Sequence, residues 1–191
     1  MAETKEISAR TRWYRKIHRW VGSFLLALFL FVSITGLMLG WKKNSNGYLL
    51  AKSYEGTSTD ISTWLSFDSL QKIAIQTLRD SIDKDLSAKL DRIDARPDKG
   101  MVKFVFKDHF KAIQLDATTG KVLHLEQRRA DWIEKLHDGS IVDMYAGFSS
   151  QPFKLGYTSL LGLGLLILTI SGFWIWYNPR RIRKRKSIPE N

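Results

Sequence analysis

Two long uncharged runs lie near the ends of the sequence, and a polar segment separates them. The first run extends from Trp20 to Trp41 and the second from Leu155 to Tyr177. At 1.5 Å per helical residue, about 22 residues give about 33 Å, enough to cross a bilayer core of about 30 Å. The pattern predicts transmembrane helices over residues 20–41 and 155–177. A cleaved signal peptide is the alternative for the first run, but "LGWKKNSNG" offers no good cleavage site.

The distribution of charge predicts the topology. Of the net charge of +11, residues 1–19 carry +4 and residues 178–191 carry +5. Charge confined to two short segments beside apolar runs is the positive-inside pattern and does not indicate a nucleic-acid-binding face. Both termini are therefore expected in the cytoplasm, as a basic N-terminus and a basic tail. Pro179 is expected to end the second helix. If the chain is bacterial, the protein lies in the inner membrane and residues 42–154 lie in the periplasm.

The segment between the runs has the pattern of a small α+β domain. Apolar residues at helical spacing predict an amphipathic helix over residues 68–87, with Asp68 and Gln71 as a capping box. Alternating stretches then predict antiparallel strands joined by a Pro-Asp-Lys-Gly turn and by a turn that ends at Gly120. "RRADWIEKLHDG" predicts a short helix that returns toward the membrane. The fold class is thus an α+β membrane protein with two transmembrane helices flanking a helix and an antiparallel sheet.

Composition limits the chemistry. The chain has no cysteine, which excludes disulfides, iron–sulfur clusters and c-type haem attachment. The sequence contains no nucleophile elbow, no H-E-x-x-H and no glycine-rich nucleotide loop. Any catalysis would therefore belong to a bound cofactor. The candidate ligands are the four histidines: His18, His109, His124 and His137.

Four motifs in order resemble the PepSY-associated transmembrane family, and they cover nearly the whole chain. They are "RKIHRWVGSFLLALFLFVSITGLMLGWKK" with His18, Trp20, Gly22, Thr35 and Gly36, then "LDATTGKVL", "KLHDGS" and "SGFWIWYNPRR". The resemblance implies a PepSY-like domain in the middle of the chain. Relatives with four spans are similar to haem-containing reductases of siderophore-bound iron, in which pairs of histidines near each membrane face hold the haems. By position, His18 and His137 match those ligands.

The residues around His18 fit this reading. A helical face from His18 also carries small residues where membrane helices approach closely; it runs His18, Gly22, Leu25, Phe29, Ser33, Gly36, Gly40. Gly22 leaves room for a flat macrocycle, and Arg15 and Arg19 could pair with haem propionates. Without cysteine, haem b is the ordinary haem available. An interfacial histidine with no ligand is the alternative.

His18 and His137 fall on opposite sides of the bilayer core, so they cannot share one iron. Each needs a second ligand, and a two-fold homodimer would supply the same histidine from a second copy. A different partner subunit, within a larger membrane complex, is the alternative. His109 and His124 lie in the strand region and are expected to be surface or core residues. A metal pair formed by these two is the other possibility.

Two classes of function follow. The first is a haem b protein that moves electrons across the membrane and reduces an acceptor such as a ferric chelate, which would make it an enzyme. The second is a non-enzymatic, membrane-anchored PepSY module that binds a peptide or protein partner or serves as an accessory subunit. In either case the protein contacts membrane lipid.

Overall fold

The computed structural model describes residues 2–186 and divides the chain into two compact units. The membrane unit comprises the chain up to Gly36 and from His137 onward, and the inserted unit comprises Leu37–Leu136. This division differs from the predicted domain of residues 42–154, because residues 137–154 belong with the long helices. Residues 187–191 of the predicted basic tail lie outside the described residues.

Two helices dominate the membrane unit: α1 (Ala2–Gly40) and α5 (Pro152–Lys186). Both are long and apolar enough to span a bilayer, in agreement with the two predicted spans. Contacts between the two helices recur every seven residues along each helix, in antiparallel order. The paired positions are Thr11 with Asn178, His18 with Ser171, and Leu25 with Gly164. A seven-residue repeat is two helical turns, so one face of each helix forms the seam.

Both helices are longer than the predicted spans. The basic residues before Trp20 continue α1, because arginine and lysine are good helix formers. The prediction that Pro179 ends the second helix is wrong. Pro179 lies inside α5. A proline removes one helical hydrogen bond, which a membrane helix tolerates near its end. Here Arg180 donates to the Trp176 carbonyl, and its guanidinium stacks on the Trp176 ring at 3.9 Å.

The inward face of α1 agrees with the predicted face over its first half and then departs from it. Leu25 is buried, and Gly22 lies against Leu168 of α5. Ser33 is exposed and a Cβ at Gly40 would touch nothing within 4 Å, so neither belongs to the seam. Thr35 is buried in their place. The buried face of α1 differs from the predicted face in its second half because a helix of 3.6 residues per turn does not keep a strict seven-residue spacing.

A short helix, α4 (Ser140–Ala146), and a turn connect His137 to α5. The sequence pattern did not predict this helix. Its buried Asp143 accepts hydrogen bonds from the backbone amides of Phe153 and Lys154 at 3.0 and 2.8 Å. Because the first amides of a helix have no internal partner, this carboxylate caps α5. Residues 138–154 therefore form a fixed elbow; we call them the elbow below.

The inserted unit contains one antiparallel sheet in the order β1-β2-β3-β4. The strands are β1 (Leu90–Arg96), β2 (Met101–Phe106), β3 (Lys111–Asp116) and β4 (Val122–Gln127). Gly100 and Gly120 have positive φ of 62° and 74° in the two predicted turns. Both turns are therefore confirmed, since glycine adopts this conformation without steric cost.

Helix α2 (Phe67–Ser81) covers one face of this sheet and ends earlier than the predicted residue 87. Leu70, Ala74 and Leu78 are fully buried against strand residues that include Phe104 and Ile113. The N-cap is Ser66, whose hydroxyl accepts from the Ser69 amide, and not the predicted Asp68 box. Helix α3 (Arg129–His137) follows β4 as expected.

An extended segment, residues 51–60, is hydrogen-bonded to β3 and to the turn between β1 and β2. Gly56 donates to the Lys99 carbonyl at 2.8 Å, and the Tyr54 amide donates to the buried Gln114 side chain at 3.1 Å. Thr57 donates to the buried carboxylate of Asp116. These bonds tie the segment to both hairpins without making it a strand.

The same carboxylate gives the inserted unit a predicted acid sensitivity. Burial raises the pKa of Asp116, but donors from Thr57, Thr119 and Thr118 outweigh burial and hold the pKa at about 2, against 3.8 unperturbed. A depressed folded pKa stabilises the fold above the unfolded pKa, and the benefit disappears as pH falls toward 2. The shift corresponds to about 2 kcal/mol.

We expect hydrogen exchange of the β3 amides in the full chain to accelerate between pH 5 and pH 2, after correction for intrinsic exchange. Asp116→Asn should be less stable by about 2 kcal/mol at neutral pH, with the difference closing toward pH 2. A difference that does not change with pH would contradict this origin of the acid sensitivity.

Candidate functional site

His18 contacts a Ser-Gly pair on the opposite helix. Its Nδ1 lies 2.9 Å from Ser171 Oγ, and the ring is partly buried. A Cβ on Gly172 would lie 3.5 Å from His18 Cε1, which is van der Waals contact. The glycine therefore lets the imidazole lie directly against the α5 backbone.

His137, the last residue of α3, makes the corresponding contact with α1. Its Nδ1 lies 2.9 Å from Thr35 Oγ1. A Cβ on Gly36 would lie 3.3 Å from His137 Cε1, tighter than nearly all real Cβ contacts. A Thr-Gly pair on one helix thus receives one histidine, and a Ser-Gly pair on the other helix receives the second.

The hydroxyls decide which nitrogen of each histidine is free. Ser171 Oγ donates to the Ile167 carbonyl at 2.6 Å, and Thr35 Oγ1 donates to the Phe31 carbonyl at 2.9 Å. A hydroxyl has one hydrogen, so an oxygen that donates to its own helix accepts at Nδ1. This network places the proton of a neutral imidazole on Nδ1 and leaves a lone pair on Nε2. Within residues 2–186, neither Nε2 has a hydrogen-bond partner.

The two histidines form two sites. His137 meets α1 at Thr35 and Gly36, about 18 residues beyond His18, which is about 27 Å along a helix axis. One metal ion cannot bind both. The prediction that His18 and His137 cannot share an iron agrees with this spacing.

Each site offers one protein nitrogen. Within the described part of the chain, no group of three or more histidine, aspartate or glutamate side chains could hold a metal ion. A bare ion would need several such ligands, whereas haem brings four nitrogens and takes one or two more from the protein. An Nδ1–H bonded to an oxygen with Nε2 free is also the arrangement that metal-binding histidines adopt. The donor set therefore fits haem.

The other predicted site residues lie away from the histidine rings. Gly22 lies against Leu168, so here its missing side chain lets the helices approach. Arg15 and Arg19 line an open cleft on α1 together with Arg12, Lys16 and Trp20. That cleft gathers positive charge at the His18 end of the membrane unit, although the ring of His18 does not line it.

His109 and His124 have separate surroundings in the inserted unit. His109 Nε2 lies 2.9 Å from the Ser87 carbonyl, and its ring stacks on Phe106. His124 lies on β4 with its ring 5.0 Å from that of Tyr54. These contacts fit the expectation that both are surface or core residues.

The elbow holds His137 at its position. Asp138 pairs with Lys154 at 2.6 Å and accepts from the Ser140 amide at 2.9 Å. Burial raises the pKa of Asp138, but Lys154 and Ser140 outweigh it, so the pKa lies below its usual value. The residue after His137 is therefore anchored in its ionised form to the first turn of α5.

Sequence reasoning missed Ser171 and Tyr157. Ser171 carried one signal, since it precedes Gly172 as Thr35 precedes Gly36. Tyr157 is in the membrane unit, and its hydroxyl is buried without a partner. An unpartnered hydroxyl has no signature in a sequence, because it depends on which groups the fold brings near it.

A family comparison covers both histidine sites. The model of the PepSY-associated TM region matches residues 15–189, most of the chain. The chain belongs to this family. The prediction of PepSY-associated membership is confirmed, and the chain is a membrane protein of that family with two apolar helices and a four-stranded antiparallel sheet. No curated protein and no solved structure matches the chain.

The hydrogen bonds in this PepSY-associated protein predict the tautomers of its histidines. In haem-free protein, ¹⁵N spectra of labelled histidine should show His18 and His137 protonated on Nδ1 at neutral pH. Ser171→Ala and Thr35→Ala should each shift one residue toward the Nε2–H form, since the oxygen that holds the Nδ1 proton is lost. Thr158→Ala, on the exposed side of α5, is the control. Unchanged tautomers in both variants would exclude this role for the hydroxyls.

Proposed function

We propose that this protein binds haem b at His18 and at His137 and moves electrons across the membrane. The observation that carries the proposal is the pair of imidazoles, each with Nδ1 engaged by a hydroxyl and Nε2 left free. Haem b, when bound, would supply one-electron transfer. The two sites, about 27 Å apart along the helices, would serve the two faces of the membrane.

The chain's own residues would bind and orient the cofactor. His18 and His137 would each offer Nε2 to the haem iron, with Ser171 and Thr35 holding each ring in one orientation. Arg15 and Arg19, in the basic cleft, would pair with propionates at the His18 end. Burial between apolar helices would keep water from the iron and favour the low-dielectric conditions of an electron carrier.

The proposed orientation places both termini in the cytoplasm and the inserted unit in the periplasm of a bacterium. The support is the concentration of positive charge in residues 1–19 and 178–191, beside the two spans. His18 then belongs to the cytoplasmic side and His137 to the periplasmic side. Electrons would enter near His18 and leave near His137.

A homodimer would complete both sites. Within the described residues each site has one histidine nitrogen, while a haem held by two histidines needs a second from elsewhere. In a two-fold dimer whose axis is normal to the membrane, His18 would face His18 of a second copy, and His137 its counterpart. This arrangement gives two chains the two haem sites that four-span relatives would build in one chain.

The proposed acceptor is a ferric chelate at the periplasmic side. One electron converts Fe(III) of the chelate to Fe(II), and a one-electron donor on the cytoplasmic side is oxidised. The choice of acceptor rests on the resemblance to siderophore-iron reductases.

The test is the reduced-minus-oxidised spectrum of the full chain, purified in mild detergent from haem-replete cells. We expect sharp b-type bands and one haem per chain, which corresponds to two haems per dimer. A folded but colourless preparation would overturn the proposal and favour a membrane-anchored module that binds a peptide or protein partner.

A further inference from the structure

One buried hydroxyl in the membrane unit lacks a hydrogen-bond partner. Two buried side-chain polar atoms within residues 2–186 are unpartnered: His109 Nδ1, in the inserted unit, and Tyr157 Oη, on α5. Other hydroxyls of the spans, such as those of Thr158, Thr169 and Ser171, donate to carbonyls of their own helix. A phenol cannot reach back in this way, since its oxygen lies too far from its own backbone. Tyr157 therefore needs an acceptor from elsewhere.

Tyr157 lies at the level of the His137 site. It precedes Gly164 and Ser171 by seven and fourteen residues, so it shares the face of α5 that meets α1. Its ring lies against Gly139, two residues after His137, where an added Cβ would come within 3.0 Å of Cδ1. Helical side chains point back toward the N-terminus of their helix, which here is the elbow. The hydroxyl is thus directed to the end of the bundle that holds His137.

The acceptors at this end of the bundle have other partners, and none of them is bonded to Tyr157. Asp138 is bonded to Lys154 and to the Ser140 amide, and Asp143 accepts from the amides of Phe153 and Lys154. Thr35, beside His137, gives its hydrogen to its own helix and accepts from the imidazole. A buried hydroxyl with no partner is costly, and in a membrane bundle water is scarce. A donor left open at the end of the bundle that also holds an open histidine nitrogen points to one ligand that takes both.

We infer that Tyr157 Oη donates a hydrogen bond to a carboxylate oxygen of the group that His137 binds. For haem b that oxygen belongs to a propionate, and a bond to a charged acceptor is among the stronger hydrogen bonds. The inference rests on the proposed function and adds a contact that distinguishes the two sites. Tyr157 serves the His137 site, whereas the arginine cleft serves the His18 site.

Haem titration of the full chain tests this assignment one site at a time. In a His18→Ala background, which keeps the His137 site, adding Tyr157→Phe should weaken haem binding about tenfold. In a His137→Ala background, which keeps the His18 site, the same change should leave affinity within twofold. Tyr177→Phe, at the far end of α5, is the matched control and should be silent in both backgrounds.

Stability without haem is the second readout. Haem-free Tyr157→Phe should melt at the same temperature as the haem-free parent or higher, because the change removes an unpartnered hydroxyl and little apolar contact. A marked loss of stability would mean that Tyr157 already has a structural partner, such as a trapped water or a second copy, and would overturn the inference. Equal haem affinity with and without the hydroxyl would overturn it as well, while leaving the proposed function intact. If the parent chain binds no haem, the proposed function fails and the inference fails with it.

Discussion

Replacing either His18 or His137 with alanine should remove one of the two proposed haem sites and halve the haem content, and replacing both should give a colourless protein. Within residues 2–186 each site holds one histidine, so no second imidazole of the same chain can take its place. The loss should be close to complete at the altered site. Pyridine haemochrome assays on equal amounts of folded protein measure it.

Two histidines outside the membrane unit provide the controls. His109→Ala and His124→Ala each remove an imidazole from the inserted unit, where both rings pack on aromatic neighbours. Both variants should keep the full haem content. If haem content falls in these variants and not in those of His18 and His137, the ligands have been misassigned.

The second large effect is expected at Gly56, where Gly56→Ala should destabilise the inserted unit by about 3 kcal/mol, at the upper end for overpacking. A Cβ at this position would lie 2.0 Å from the Gly100 carbonyl oxygen and 3.1 Å from Asp116 Oδ1. The Gly100 carbonyl is part of the backbone of a tight turn, so it cannot rotate away as a side chain could. Residues 51–60 would have to detach from the turn between β1 and β2 and from the end of β3.

Hydrogen exchange of the β2 and β3 amides in the full chain measures this change. Glu55→Ala, at the exposed neighbouring position, is the control and should change stability by less than about 0.5 kcal/mol. A Gly56→Ala protein as stable as its control would show that the segment is not held against the turns in this way.

The elements of this fold were largely predictable because their signals are local. Uncharged runs long enough to cross a bilayer predicted both spans. Alternating apolar and polar residues, with Gly100 and Gly120 in the turns, predicted two hairpins. Helix ends were less predictable, since they depend on contacts distant in sequence. Asn178 bonds Thr11 across 167 positions, and α5 continues past Pro179 where the local rule placed a stop.

The candidate site could be predicted only in part. His18 and His137 were identified as candidates from their place beside the spans and from the family resemblance. Their hydroxyl partners were not, because pairing Ser171 with His18 requires the antiparallel register of two helices. A periodic face predicted Ser33 and Gly40 on the seam, where the structure has Thr35. Because of this difference, the hydroxyl that contacts His137 is that of Thr35 and not that of Ser33.

The most direct test of the central claim is electron transfer across a closed membrane. Haem-loaded protein is placed in vesicles with ferricyanide trapped inside, and a membrane-impermeant reductant is added outside. We expect the trapped ferricyanide to be reduced far faster than in protein-free vesicles, and His18→Ala or His137→Ala to return the rate to that of protein-free vesicles. Haem-loaded wild-type protein that reduces no more ferricyanide than protein-free vesicles would contradict the claim.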